Sequence, residues 1–178
     1  MSDPVCLVTG VGPDKGTGAE IARRFAAGGY RTAMLARDAE KLAGFEQTMP
    51  GTRAYPCDVG DIDSLKETIS RIKAEMGAPS VVVHNALRST RGSILEMDPE
   101  DLERNFRVNA TALLHLGRET IPDMLEAGSG AILVTGNTSA TRGKSQWGFF
   151  ASTKAAQRSS RTSTTAACST TPSSSGAV

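Results

Sequence analysis

The sequence predicts a doubly wound, parallel α/β sheet, and three observations carry that prediction. Short apolar runs alternate with longer stretches whose apolar residues recur at helical spacing. The runs carry few charges, as strands covered on both faces do. A glycine-rich turn joins the first run to the first helical stretch, where a βαβ unit places its tightest connection.

Val5-Cys6-Leu7-Val8-Thr9 is the first strand, ending at glycines. Glu20 to Ala27 follows as a helix, with Ile21 and Phe25 four apart on one face and Gly28-Gly29 as its stop. Thr32 to Ala36 is the second strand, and the charged stretch from Asp38 to Gln47 is helical. Arg53 to Cys57 reads as a weaker third strand. Asp61 to Met76 places Leu65, Ile69, Ile72 and Met76 at helical intervals, and Val81-Val82-Val83 is the fourth strand. Asp98 to Ala127 reads as one long helical region, with Pro99 suited to its first turn and Pro122 expected to bend it. Ala131 to Thr135 is the fifth strand, and Phe149 to about Arg158 begins a last helix. No internal repeat is present.

The chain has 178 residues, room for one domain with a core. Its 20 basic and 19 acidic side chains leave a net charge of +1, so no bulk field draws nucleic acid or a membrane surface. No run is long and apolar enough to span a bilayer. The N-terminus lacks the basic-then-apolar pattern of a secretory signal. Cys6, Cys57 and Cys168 show no metal spacing, so no metal site is expected, and reduced thiols in a cytoplasmic protein are the simplest reading. Residues 1–158 form the expected domain. From Ser159 to Val178, Ser and Thr fill 12 of 20 positions and Val178 is the one large aliphatic residue, a composition that predicts a disordered tail.

Between the first strand and first helix lies Gly10-Val11-Gly12-Pro13-Asp14-Lys15-Gly16-Thr17-Gly18. Glycines there let backbone approach a pyrophosphate, and the helix N-terminus offers unpaired N–H groups to the same anion. The second strand ends Leu35-Ala36-Arg37, where a carboxylate would accept from a ribose diol and an arginine would pair with a 2′-phosphate. Arg37, with Lys15 as a second charge, points to NADP, with NAD as the other choice. Asp38 stands against this, since it either pairs with Arg37 or approaches the diol itself.

Over residues 4–158 the chain resembles the short-chain dehydrogenase/reductase family, whose fold is Rossmann-like. The family's Thr-Gly-x-x-x-Gly-x-Gly turn is similar to Thr9-Gly10 and Gly16-Thr17-Gly18, with five intervening residues instead of three. Asp58-Val59 resembles its adenine-contacting pair. His84-Asn85-Ala86-Leu87 resembles its Asn-Asn-Ala-Gly segment, with His for the first Asn and Leu for Gly. Asn109 falls at the family's helix asparagine.

The resemblance implies that Gly10, Gly16 and Gly18 cradle pyrophosphate, that Arg37 takes the 2′-phosphate, and that Asp58, Val59, Asn85 and Ala86 line the adenosine side. It implies that Lys154 holds the nicotinamide ribose and that Asn109 supports a water or a helix kink near that lysine. The expected activity is hydride transfer between NADP(H) and an alcohol or carbonyl substrate. The catalytic pattern departs from the family's. Its Tyr-x-x-x-Lys pair reads Phe150-Ala151-Ser152-Thr153-Lys154, and Asn137 stands where a substrate-binding serine would lie. Phe150 has no proton to give, so a binder of NADP(H) without catalysis is the alternative. The family continues with two further strands; the composition change after Arg158 is what a reading-frame shift would produce, so five strands are expected, and a truncated product without function is a third possibility. Members commonly associate through helices corresponding to 101–126 and 149–163, which makes a homo-oligomer possible.

Overall fold

The computed structural model describes residues 3–169, with 161–169 as helix backbone. Five strands, β1 (Val5–Thr9), β2 (Arg31–Ala36), β3 (Thr52–Pro56), β4 (Pro79–His84) and β5 (Ala131–Val134), form one parallel sheet in the order β3-β2-β1-β4-β5. In the central register Val8 lies opposite Met34 on one side and Val83 on the other. The helices are α1 (Thr17–Ala27), α2 (Ala39–Thr48), α3 (Ile62–Met76), α4 (Pro99–Phe106), α5 (Ala112–Glu126) and α6 (Gly148–Ser169). The expected α/β doubly wound, Rossmann-like sheet is therefore the fold, and the family's two later strands are absent among the described residues.

Alternation along each strand divides the core into two layers. Val5 and Leu7 point to one face, where Leu65, Ile69 and Ile72 of α3 and Leu116 of α5 cover them. Cys6 and Val8 point to the other, against Ala19 and Ala22 of α1 and Leu42 and Phe45 of α2. Asp38, Asp61 and Asp98 cap α2, α3 and α4, each carboxylate accepting a backbone N–H of the first turn.

Two expectations change. The long helix over 98–127 is broken at residues 107–111 and not at Pro122. There the Ala112 N–H bonds to the Arg107 carbonyl, the wider i→i+5 pattern of a π segment. Pro122 lies on the exposed side of α5, where a carbonyl released from the ladder is open to water, so the helix runs on to Glu126. The domain boundary expected at Arg158 does not end an element either, since α6 continues to Ser169 and the first helix breaker beyond Arg158 is Pro172. The stretch expected to be a disordered tail thus begins within α6, and residues 170–178 lie outside the described residues.

Candidate functional site

The segments that leave the C-terminal ends of β1 to β4 surround a cavity of about 1570 Å³. In an open parallel sheet, ligands sit in this crevice, where the strand order reverses. Gly10, Gly16, Gly18, Arg37, Asp58, Val59, Asn85 and Ala86 all line it.

The glycines are required by close approach. Gly10 has φ +74°, and a Cβ there would lie 2.5 Å from the Ala86 Cα. A Cβ on Gly18 would run into the Gly10 carbonyl and come within 2.8 Å of the Asn85 Nδ2. Asn85 donates from that nitrogen to the Gly10 carbonyl at 2.9 Å, pinning the turn to the end of β4. The N-cap of α1 is Gly16, which offers no side-chain cap, so the first N–H groups of the helix remain available to an anion. The longer turn folds as a local loop: the Gly16 N–H bonds to the Pro13 carbonyl at 2.8 Å, and the Asp14 carboxylate pairs with Arg23 of α1 at 2.5 Å. Lys15 does not line the cavity. Lys41 of α2 lines it instead.

Asp38 lines the same cavity and pairs with Lys41, not with Arg37. Its Oδ1 accepts the Lys41 N–H at 3.0 Å and its Oδ2 pairs with the Lys41 Nζ at 3.0 Å. These contacts hold its pKa below the usual carboxylate value, the backbone hydrogen bond acting most. Among the described residues Arg37 makes no ion pair, so its guanidinium is free to meet an anion in the cavity. The Asp58 carboxylate accepts the Gly60 N–H at 2.9 Å, shaping the turn after β3.

The residues expected to do chemistry do not join this wall. Asn137 and Lys154 line a smaller cavity of about 220 Å³ beside β5. The Lys154 Nζ donates to the Thr135 carbonyl at 3.0 Å, and burial lowers its pKa. Asn137 accepts the Ser139 N–H at 2.8 Å, capping a short 3-10 turn. Phe150 is buried, its ring edge-on to Trp147 with centroids 6.0 Å apart, and lines neither cavity. Asn109 is fully buried in the π segment. Its Oδ1 accepts the Arg88 N–H at 2.9 Å, while its Nδ2 donates to the Arg88 carbonyl and to the Thr153 Oγ1, each at 2.8 Å. It therefore ties the loop after β4 to α6.

Sequence reasoning missed the cavity's other cations, Arg88, Arg104 and Arg107. Arg104, Arg107 and Thr111 recur at helical intervals, a signal the sequence held. Arg104 is committed to Asp98, Glu100 and Asp101, and Arg88 to Asp101. No group of three or more His, Cys, Asp or Glu side chains suited to a metal occurs among the described residues. No helix of theirs is long and apolar enough to cross a membrane. Cys6 and Cys57 are buried and unpaired; burial pushes the Cys6 thiol up to about 12 and raises Cys57 as well, which leaves both poor nucleophiles.

The family model described as short chain dehydrogenase matches residues 4–170. The chain is similar to a fatty acyl-CoA reductase of Acinetobacter baylyi, 27% identical over 158 residues, covering 85% of this chain and 53% of that one. It is also similar to a metagenomic short-chain oxidoreductase solved in complex with NADP, with TM-score 0.85, 28% identity, and coverage of 91% of this chain and 75% of that chain. An alcohol dehydrogenase of the archaeon Thermococcus sibiricus, complexed with 5-hydroxy-NADP, gives TM-score 0.80 at 25% identity, covering 88% and 67%. The chain spans about half the length of the curated relatives it matches.

Proposed function

The chain belongs to the short-chain dehydrogenase family, and from that premise we propose that it binds NADP(H) in the large cavity and serves hydride transfer at an alcohol or carbonyl carbon. The observation that carries this reading is the convergence of eight residues, singled out from the sequence, on one cavity at the strand ends. A dinucleotide fits this wall. Gly10 and Gly18 let the turn pack directly on the end of β4, where a Cβ would strike backbone, and the uncapped start of α1 suits a pyrophosphate. Asp58, Val59, Asn85 and Ala86 would hold the adenosine side, and Arg37, left without an acidic partner while Asp38 engages Lys41, would take a 2′-phosphate.

When bound, the nicotinamide supplies or accepts the hydride. The chain's own part is to bind, to orient and to manage the proton. Asn109 fixes the Arg88 backbone and reaches Thr153 of α6, which sets the rim of the cavity relative to Lys154 and Asn137. Lys154 is a buried ammonium whose proton is loosened by desolvation, and Asn137 shares its cavity. In this reading both would serve as hydrogen-bond donors to the substrate oxygen. A titration that finds NADPH bound at least tenfold more tightly than NADH, with the preference lost in Arg37→Ala, supports the reading; equal weak binding of both overturns it.

Phe150 favours a second reading, a binder of NADP(H) without turnover. Its ring is buried against Trp147 at the position where the family resemblance places the proton-transferring phenol. Turnover of simple alcohols and carbonyls by the wild-type chain would exclude it.

A further inference from the structure

Behind the cavity wall lies His84, at the end of β4 and fully buried. One ring nitrogen, Nε2, is 3.1 Å from the Val108 carbonyl, and the other, Nδ1, is 3.0 Å from the Thr9 Oγ1. A carbonyl only accepts, so Nε2 carries the proton and donates it. In the neutral ring Nδ1 is then a bare acceptor, and the Thr9 hydroxyl donates to it. The lone pairs of the same hydroxyl accept the Asn85 N–H and the Ala86 N–H, both at 3.2 Å. Every valence of the hydroxyl is used. An imidazolium would have to compete with two amides for those lone pairs, and the Lys154 charge acts against it from α6.

The π segment makes the other end of this relay possible. In a continuous α-helix the Val108 carbonyl would accept the Ala112 N–H, but Ala112 bonds to Arg107 instead, which releases the Val108 carbonyl from that bond. The next residue, Asn109, fixes the Arg88 backbone.

We propose that His84, held as its neutral Nε2–H tautomer, is a positioning residue that sets the Thr9 end of the glycine turn and the Asn85–Ala86 rim against the π segment bearing Asn109. Its consequence for ligand affinity rests on the dinucleotide reading; the hydrogen-bond relay itself does not.

The test uses the full chain labelled with 15N-histidine, in which His115 is the one other histidine. The expected result at pH 7 is a His84 ring protonated at Nε2 alone. An Nδ1–H tautomer or an imidazolium overturns the proposal. His84→Phe fills the site but neither donates nor accepts; amide exchange at Asn85 and Ala86 should rise at least tenfold, and NADPH affinity should fall at least tenfold while circular dichroism stays native. His84→Asn keeps a donor and an acceptor and should restore affinity to within threefold of wild type. Unchanged affinity and exchange in folded His84→Phe overturn the proposal. If His84→Phe does not fold, the tautomer and the affinity of His84→Asn decide it. Wild-type protein that binds no NADPH overturns the dinucleotide reading, and the tautomer and amide exchange then decide the relay alone.

Discussion

Three side chains carry most of what is specific to this chain. Burial pulls the His84 pKa from 6.5 down to about 4, aided by the Lys154 charge. Above pH 6.5 the ring is neutral in both folded and unfolded chains. As pH falls from 6.5 to 4 only the unfolded chain gains the proton, so folding loses about 3 kcal/mol over that window and no more below it. Urea midpoints measured from pH 7 to pH 4 should show this fall, and His84→Asn should flatten it; parallel profiles would contradict the assignment. Among the described residues Arg37 has no acidic partner, and a charge-assisted hydrogen bond is worth about 1.5–3 kcal/mol. Arg37→Ala should therefore weaken NADPH ten- to a hundredfold and leave NADH within threefold, read by calorimetric titration. Phe150 lacks the hydroxyl that general acid–base work requires. If the rest of the site is competent, Phe150→Tyr should raise turnover of simple carbonyls by about 10²-fold or more. An unchanged rate with NADPH binding intact would assign the chain to binding alone.

Elements were legible in the sequence where one pattern dominated. The β1, β2 and β4 runs and the apolar stripe of α3 each pointed to a single answer, and buried packing agreed with it. The break between α4 and α5 was not legible in the residue pattern, because a π segment is an insertion in register and leaves the composition helical; only the family resemblance at Asn109 implied a kink there. Its physical origin lies elsewhere in the chain, in the bonds that Val108 and Asn109 make to His84, Arg88 and Thr153. The continuation of α6 was hard to read for a different reason: the Ser/Thr-rich composition after Arg158 carries no apolar stripe, although no proline interrupts it before Pro172. The residues lining the large cavity were readable because they cluster after strand ends, whereas the separation of Lys154 and Asn137 from that cavity depends on how α6 packs beside β5. The glycine turn gives the prediction at this scale. Gly18→Ala would drive a methyl into the Gly10 carbonyl, so α1 must shift from the strand end. NADPH binding should be lost and thermal stability should drop, and a variant that binds as wild type would show that this approach is not needed.

At the scale of the molecule, the sheet has unlike edges. β3 lies against α2, whose Glu46 accepts the Ala54 N–H, and the Tyr55 ring on its other face lies under Arg53 and Arg71. Among the described residues β5 pairs with β4 alone, and Leu133 on it is 47% exposed. An unpaired strand edge with exposed apolar residues recruits other chains. Leu133→Lys should lower the apparent mass at high concentration in light scattering, and an unchanged mass would place any association elsewhere. The near-zero net charge adds no long-range field, so recognition rests on the cavity's local arrangement of cations. The central claim is that this cavity takes a 2′-phosphorylated dinucleotide, and equilibrium titration of the full chain with NADPH, competed by 2′,5′-ADP, tests it most directly. Saturable one-to-one binding that 2′,5′-ADP displaces and 5′-AMP does not is the predicted result; no saturable binding, or equal displacement by both nucleotides, would contradict the account.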